Sequence, residues 1–163
     1  MPYALLIDDD TALLESVKRT AKLAGHDLLT ADSWDDGLNL FHVHSPDLVI
    51  ADYNLPGSRH GLQLIAAIRQ LRPSVRLVLL SAYIDEQDIA EIAGLDLVDR
   101  AISKVSSTDA MAAILDELNV AAQRASEPTR WIDFAKAHAR ATSVDEAALE
   151  QLDQRLQGRR GIA

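Results

Sequence analysis

Short apolar runs alternate along this chain with longer segments whose apolar residues recur every three or four positions. The first pattern predicts buried strands and the second amphipathic helices. Tyr3-Ala4-Leu5-Leu6-Ile7 reads as a strand, and Thr11 to Ala24 as a helix with Leu13/Leu14, Val17 and Ala21 on one face and Gly25 as its stop. Leu28 to Ala31 is a weaker strand, followed by a helix that Ser33 caps and that runs through Phe41. Leu48 to Ala51 is a strand after Pro46, and Leu62 to Leu71 a helix. Val75 to Leu80 is the most aliphatic strand, Asp85 to Ala93 a short helix, Val98 to Ser103 a strand carrying two charges, and Ser107 to Ala125 a long Ala-rich helix.

Strand followed by helix thus occurs five times. The runs are apolar throughout rather than alternating, which marks strands buried on both faces, and each connection is long enough for a crossover helix. The expected fold is α/β: a doubly wound parallel sheet of five strands with helices on both faces.

Composition narrows the chemistry. The 163 residues include no cysteine, which removes disulfide scaffolds, zinc ribbons, iron–sulfur clusters and thiol nucleophiles, and fits a cytoplasmic location. No apolar run approaches the ~18 residues of a membrane span, and the N-terminus lacks the pattern of a secretory signal. The net charge is -9, unfavourable for sequence-independent binding to DNA or anionic lipid. That negative charge sits in the portion before residue 120, while the remainder is nearly balanced. The shift coincides with Ala125-Ser126-Glu127-Pro128, and the chain is divided into a domain at 1–122 and a helical extension at 123–163.

In parallel α/β sheets reactive groups gather beyond the carboxyl ends of the strands. Asp8, Asp9 and Asp10 follow the first strand, Asp52 the third, Ser81 the fourth and Lys104 the fifth. Asp10 is read equally well as a cap of the following helix. With the strand order 2-1-3-4-5 of one common doubly wound type, the first and third strands are neighbours, so Asp8 and Asp9 lie beside Asp52. Clustered carboxylates repel one another, and a hard divalent cation such as Mg²⁺ relieves the repulsion. A carboxylate flanked by metal, ammonium and hydroxyl suits the acceptance of a phosphoryl group as an aspartyl phosphate.

With these residues in place, the chain resembles the bacterial response-regulator receiver domains over roughly residues 2–122. The matching segments are Leu5-Leu6-Ile7-Asp8-Asp9-Asp10, Pro46 through Gly57 with Asp52-Tyr53-Asn54-Leu55-Pro56-Gly57 at its end, Leu79-Leu80-Ser81-Ala82-Tyr83 and Ile102-Ser103-Lys104. The resemblance implies Asp52 as phosphoacceptor, Ser81 as switch hydroxyl and Lys104 as phosphoryl contact. It implies Mg²⁺ held by Asp9, Asp52 and the backbone carbonyl of Asn54, with Asp8 acting through water. The donor would be a histidine kinase or histidine phosphotransfer protein. The signal would leave through the face of the fourth helix, fifth strand and fifth helix, to a target protein or a second copy of the chain. Such a protein is a signalling domain rather than an enzyme acting on an external substrate.

Three features depart from the family pattern. Val105 stands where receivers usually carry proline, Ala101 where a switch aromatic is usual, and the loop Pro56-Gly57-Ser58-Arg59-His60-Gly61 is one residue longer than the commonest form. Tyr83 is an alternative gating aromatic or a packing residue. Two other readings remain: a degenerate receiver serving as a binding module, and a haloacid-dehalogenase-like phosphatase with Asp8 as nucleophile and Asp10 as general acid. The extension reads as a helical hairpin, with Trp131, Phe134 and His138 on one face of its first helix. A capping box at Ser143-Val144-Asp145-Glu146 opens a second helix with Ala148/Leu149, Leu152 and Leu156 in register, ending at Gly158. It either folds back on the domain or serves in docking or dimerisation; it is too short and too evenly charged for a DNA-binding output domain.

Overall fold

The computed structural model describes residues 3–53, 55, 61–82, 84–104, 107–125 and 146–160. In chain order they form β1 (Tyr3–Ile7), α1 (Thr11–Leu23), β2 (Asp27–Ala31), α2 (Trp34–His44), β3 (Leu48–Asp52), α3 (Gly61–Leu71), β4 (Arg76–Ser81), α4 (Glu86–Gly94), β5 (Arg100–Ser103), α5 (Ser107–Ala125) and α6 (Glu146–Arg160). The strands are all parallel, in the order β2-β1-β3-β4-β5. The parallel sheet anticipated from the apolar runs thus has the flavodoxin-like order 2-1-3-4-5. The first helix expected in the C-terminal hairpin lies outside the described residues, and α6 corresponds to the second.

Side chains of a strand alternate between faces, so each strand feeds two cores. Leu6, Leu48, Ile50, Val78 and Leu80 pack with Val17 of α1 and Ile114 and Leu118 of α5. Ile7, Val49, Ala51, Leu77 and Leu79 pack on the opposite face with Phe41 of α2, Ile65 and Ile68 of α3 and Ile92 of α4. Leu149, Leu152 and Leu156 of α6 join this second core. The leucine stripe of the extension is therefore folded back on the domain.

Gly37 sets how closely α2 approaches the sheet. A Cβ at this position would lie 2.5 Å from Cδ1 of Ile7 and 3.0 Å from Cγ1. A side chain there would force either Ile7 or α2 to shift, one residue before Asp8.

The fifth strand is shorter than its sequence suggests. Val98 is buried but precedes the strand, which begins at Arg100. The reason lies in Asp99: its carboxylate accepts the Leu77 N–H at 2.8 Å, while its own N–H donates to the Leu77 carbonyl at 2.8 Å. A side chain thus replaces one rung of the ladder. The fully buried guanidinium of Arg69 on α3 holds this corner, donating to the Leu97 carbonyl from Nε at 3.1 Å and Nη2 at 3.0 Å, and pairing with Asp99 at 3.0 Å. Nearby, the buried Glu117 of α5 accepts from Arg76 at 2.7 Å and Arg100 at 2.9 Å, tying α5 to β4 and β5.

Candidate functional site

Because all five strands run the same way, their carboxyl ends share one edge of the sheet. Four of the expected residues stand there: Asp8 just after β1, Asp52 as the last residue of β3, Ser81 as the last of β4 and Lys104 just after β5. Backbone bonds continue the ladder beyond the strands and fix these ends. The Asp8 N–H donates to the Ala31 carbonyl at 3.0 Å, Tyr53 N–H to Leu80 at 2.8 Å and Lys104 N–H to Ser81 at 2.7 Å.

Asp8 and Ser81 are completely buried and Asp52 nearly so, whereas Asp9 is exposed. One carboxylate oxygen from each of Asp8, Asp9 and Asp52 lies within 4.8 Å of the others. The Lys104 ammonium donates to Asp8 Oδ2 at 2.7 Å and lies 3.5 Å from Asp52 Oδ2. Partial burial works against its charge, but the hydrogen bond it donates to Asp8 and the field of Asp52 outweigh that and hold its pKa above the ordinary lysine value.

Three carboxylates face one ammonium here. A hard dication with oxygen preference matches what remains of the negative charge, and the donor set is all oxygen, as Mg²⁺ requires. Asn54, expected to lend its carbonyl, lies outside the described residues, as do Tyr83 and Val105. Ala101 sits in β5 opposite Leu79 and packs against the α2–α4 side of the core.

Asp10 is settled differently from its neighbours. Its carboxylate accepts the Leu13 N–H at 3.1 Å and caps α1, while its own N–H donates to Asp8 Oδ1 at 2.9 Å. It orients the buried Asp8 and stands outside the carboxylate cluster.

Sequence reading did not find the partner of Tyr53. Alternation turns this ring away from Asp52 toward the core containing α6, where its hydroxyl donates to Asp153 Oδ1 at 2.7 Å and to the Asp153 carbonyl at 3.2 Å. The two residues are 100 positions apart, and Asp153 carries no local signal beyond being an acid between Leu152 and Leu156. No described helix is long and apolar enough to cross a membrane.

Comparison with known proteins gives a consistent picture. The family model for the response regulator receiver domain matches residues 4–116. Over 96 residues the chain is 35% identical to the transcriptional regulatory protein AfsQ1 of Streptomyces coelicolor, a stretch covering 59% of this chain and 41% of that protein. The chain thus spans less than half the length of this relative. Among solved structures, a response regulator receiver domain protein from Clostridium thermocellum is 26% identical with a TM-score of 0.59, covering 73% of this chain and 95% of that one. The response regulator TrrA of Thermotoga maritima, solved in complex with Mg(2+)-BeF, is 25% identical with a TM-score of 0.59, covering 72% of this chain and 99% of that one.

Proposed function

Because this chain belongs to the response regulator receiver domain family of two-component systems, we propose that it accepts a phosphoryl group on Asp52 and relays the change as altered protein–protein association. The donor is a histidine kinase or a histidine phosphotransfer protein. A carboxylate oxygen of Asp52 attacks the phosphorus of the donor's phosphohistidine. The new P–O bond forms as the P–N bond breaks, and the imidazole leaves with the electron pair. Lys104 moves from its carboxylate partners onto a phosphoryl oxygen, and the Ser81 hydroxyl takes another. Mg²⁺ is assigned to Asp9, Asp52 and the Asn54 carbonyl, with Asp8 acting through water; when bound it offsets the charge of the incoming phosphoryl oxygens.

The observation that carries this reading is the convergence of three carboxylate oxygens within 4.8 Å around the reach of a single lysine. The phosphatase reading needs the Asp10 carboxylate as a general acid, but that group is engaged in capping α1. The degenerate-receiver reading draws on Ala101 and Val105 in place of the usual residues, which affect transmission rather than the acceptor. We assign residues 1–122 to the receiver and 123–163 to an extension acting with it in the cytoplasm, with the α4–β5–α5 face as the surface for a target or a second copy.

Incubation with acetyl phosphate and Mg²⁺, followed by intact-mass measurement, tests the chemistry. The expected result is one added phosphoryl group, absent in Asp52→Asn. Absence of any mass gain in the parent favours the binding module; a gain that survives Asp52→Asn and is lost in Asp8→Asn favours the phosphatase.

A further inference from the structure

Tyr53 follows the phosphoacceptor directly and is the anchor of α6. Its backbone N–H is bonded to the Leu80 carbonyl, next to Ser81, while its buried hydroxyl is bonded to Asp153. One residue therefore joins the two strand ends that would rearrange on phosphorylation to a helix from the far end of the chain. Asp153 itself is 1% exposed, a carboxylate deep in the seam between α6 and the domain. Around it, Leu149, Leu152 and Leu156 fill the core on the α3 side, and Arg155 pairs with Glu91 of α4 at the surface. The packing is not uniform. An open crevice of about 230 Å³ separates α4 from α6, lined by Glu91, Leu95, Ala148, Gln151, Leu152 and Arg155. A terminal helix packed on one side and bordered by an open crevice detaches more readily than a core element.

We propose that α6 is a phosphorylation-released latch, docked on α3 and α4 through the Tyr53–Asp153 bond and freed when Asp52 carries a phosphoryl group. The proposal rests on Asp52 being the phosphoacceptor. The direction follows from charge. With Mg²⁺ bound both before and after, phosphorylation replaces a monoanion with a group approaching two negative charges, and the buried Asp153 carboxylate is bonded to the far end of the Tyr53 side chain. Like charges across a low-dielectric seam repel, and the docked helix is the element that can yield. The shift of Ser81 toward the phosphoryl group also pulls on the Leu80 carbonyl that positions Tyr53. Release exposes the leucine stripe of α6 together with the α3–α4 surface beneath it.

Hydrogen exchange by mass spectrometry on the full chain in Mg²⁺, with and without beryllium fluoride, reads this directly. Amides of residues 146–160 should exchange about tenfold faster with the mimic, within the 5- to 150-fold range usual for coupled sites, while β1, β3 and β4 keep their protection. In Tyr53→Phe, residues 146–160 should exchange fast without the mimic. By reciprocity this variant should bind the mimic more tightly by the same factor. Asp153→Asn keeps the shape and an acceptor for Tyr53 but removes the charge, so α6 should stay docked and respond weakly. Acetyl phosphate labelling runs in parallel. Mimic bound and Asp52 labelled with α6 protection unchanged overturns the latch alone. A full response in Asp153→Asn overturns the charge mechanism on which its direction depends. No labelling of the parent overturns the phosphoacceptor reading and the latch with it.

Discussion

Removing the exposed charge from the acidic cluster should make the protein more stable, and this measures how the cluster is balanced. Lys104 compensates Asp8 at 2.7 Å and lies 3.5 Å from Asp52, whereas Asp9 faces both carboxylates from the solvent side. At the 4.8 Å limit of their spacing, two unit charges with water-like screening repel by about 0.9 kcal/mol, so with Lys104 offsetting one of its two neighbours Asp9 carries about 1 kcal/mol of net repulsion. Asp9→Asn should therefore raise the unfolding free energy by about that much in low salt with chelator present. The gain should fade in about 1 M NaCl, where the Debye length drops to about 3 Å. Magnesium should reverse the comparison. An ion present at ten times its dissociation constant stabilises the parent by about 1.4 kcal/mol. The variant has lost a ligand and should gain little. Urea denaturation of both proteins, with chelator and with Mg²⁺, gives the four free energies. If Asp9→Asn is less stable than the parent in chelator, or if both respond equally to Mg²⁺, the three carboxylates do not act as one site.

Two further outcomes follow from the core and the pocket. The raised pKa of Lys104 means that its contribution to stability is fully present below the ordinary lysine value near 10.5 and is lost as pH rises through the higher folded-state value; urea midpoints followed from pH 9 upward should fall for the parent and stay flatter for Lys104→Met, which starts lower because Asp8 is left buried without its counter-ion. Gly37→Ala gains up to about 1 kcal/mol of helix propensity but meets Ile7 Cδ1 at 2.5 Å, so it should destabilise by about 1 kcal/mol overall. In an Ile7→Val background, which lacks that methyl, the same change should become neutral or stabilising, and equal effects in both backgrounds in a double-mutant cycle would show that the contact does not set the position of α2.

The candidate site was legible because of where parallel strands must end. Each run is apolar on both faces, so the first residues no core needs mark the edge of the sheet. Asp8, Asp52, Ser81 and Lys104 all stand at that edge. The order 2-1-3-4-5, which the structure shows, brings Asp8 and Asp52 onto neighbouring strands. Asp10 was not decidable in this way, since a ligand and a cap both call for a carboxylate after a strand; the choice depends on where one side chain turns, and it turns to Leu13. The start of β5 was misplaced for a related reason. Apolar Val98 looks like strand, but Asp99 takes a rung of the ladder with its side chain.

By itself, then, the sequence determined the elements, the parallel sheet and the edge where acid, hydroxyl and ammonium meet, because these follow from periodicity and from what burial excludes. Only the tertiary structure decided what lies across long loops. The burial of Arg69 beneath the Leu97 carbonyl, the Arg76–Glu117–Arg100 tie and the bond from Tyr53 to Asp153 join residues with no shared local pattern. Such pairs form because the fold brings two polar groups into one dry place and each must then find a partner. Nothing in the spacing of the chain says which groups will meet there.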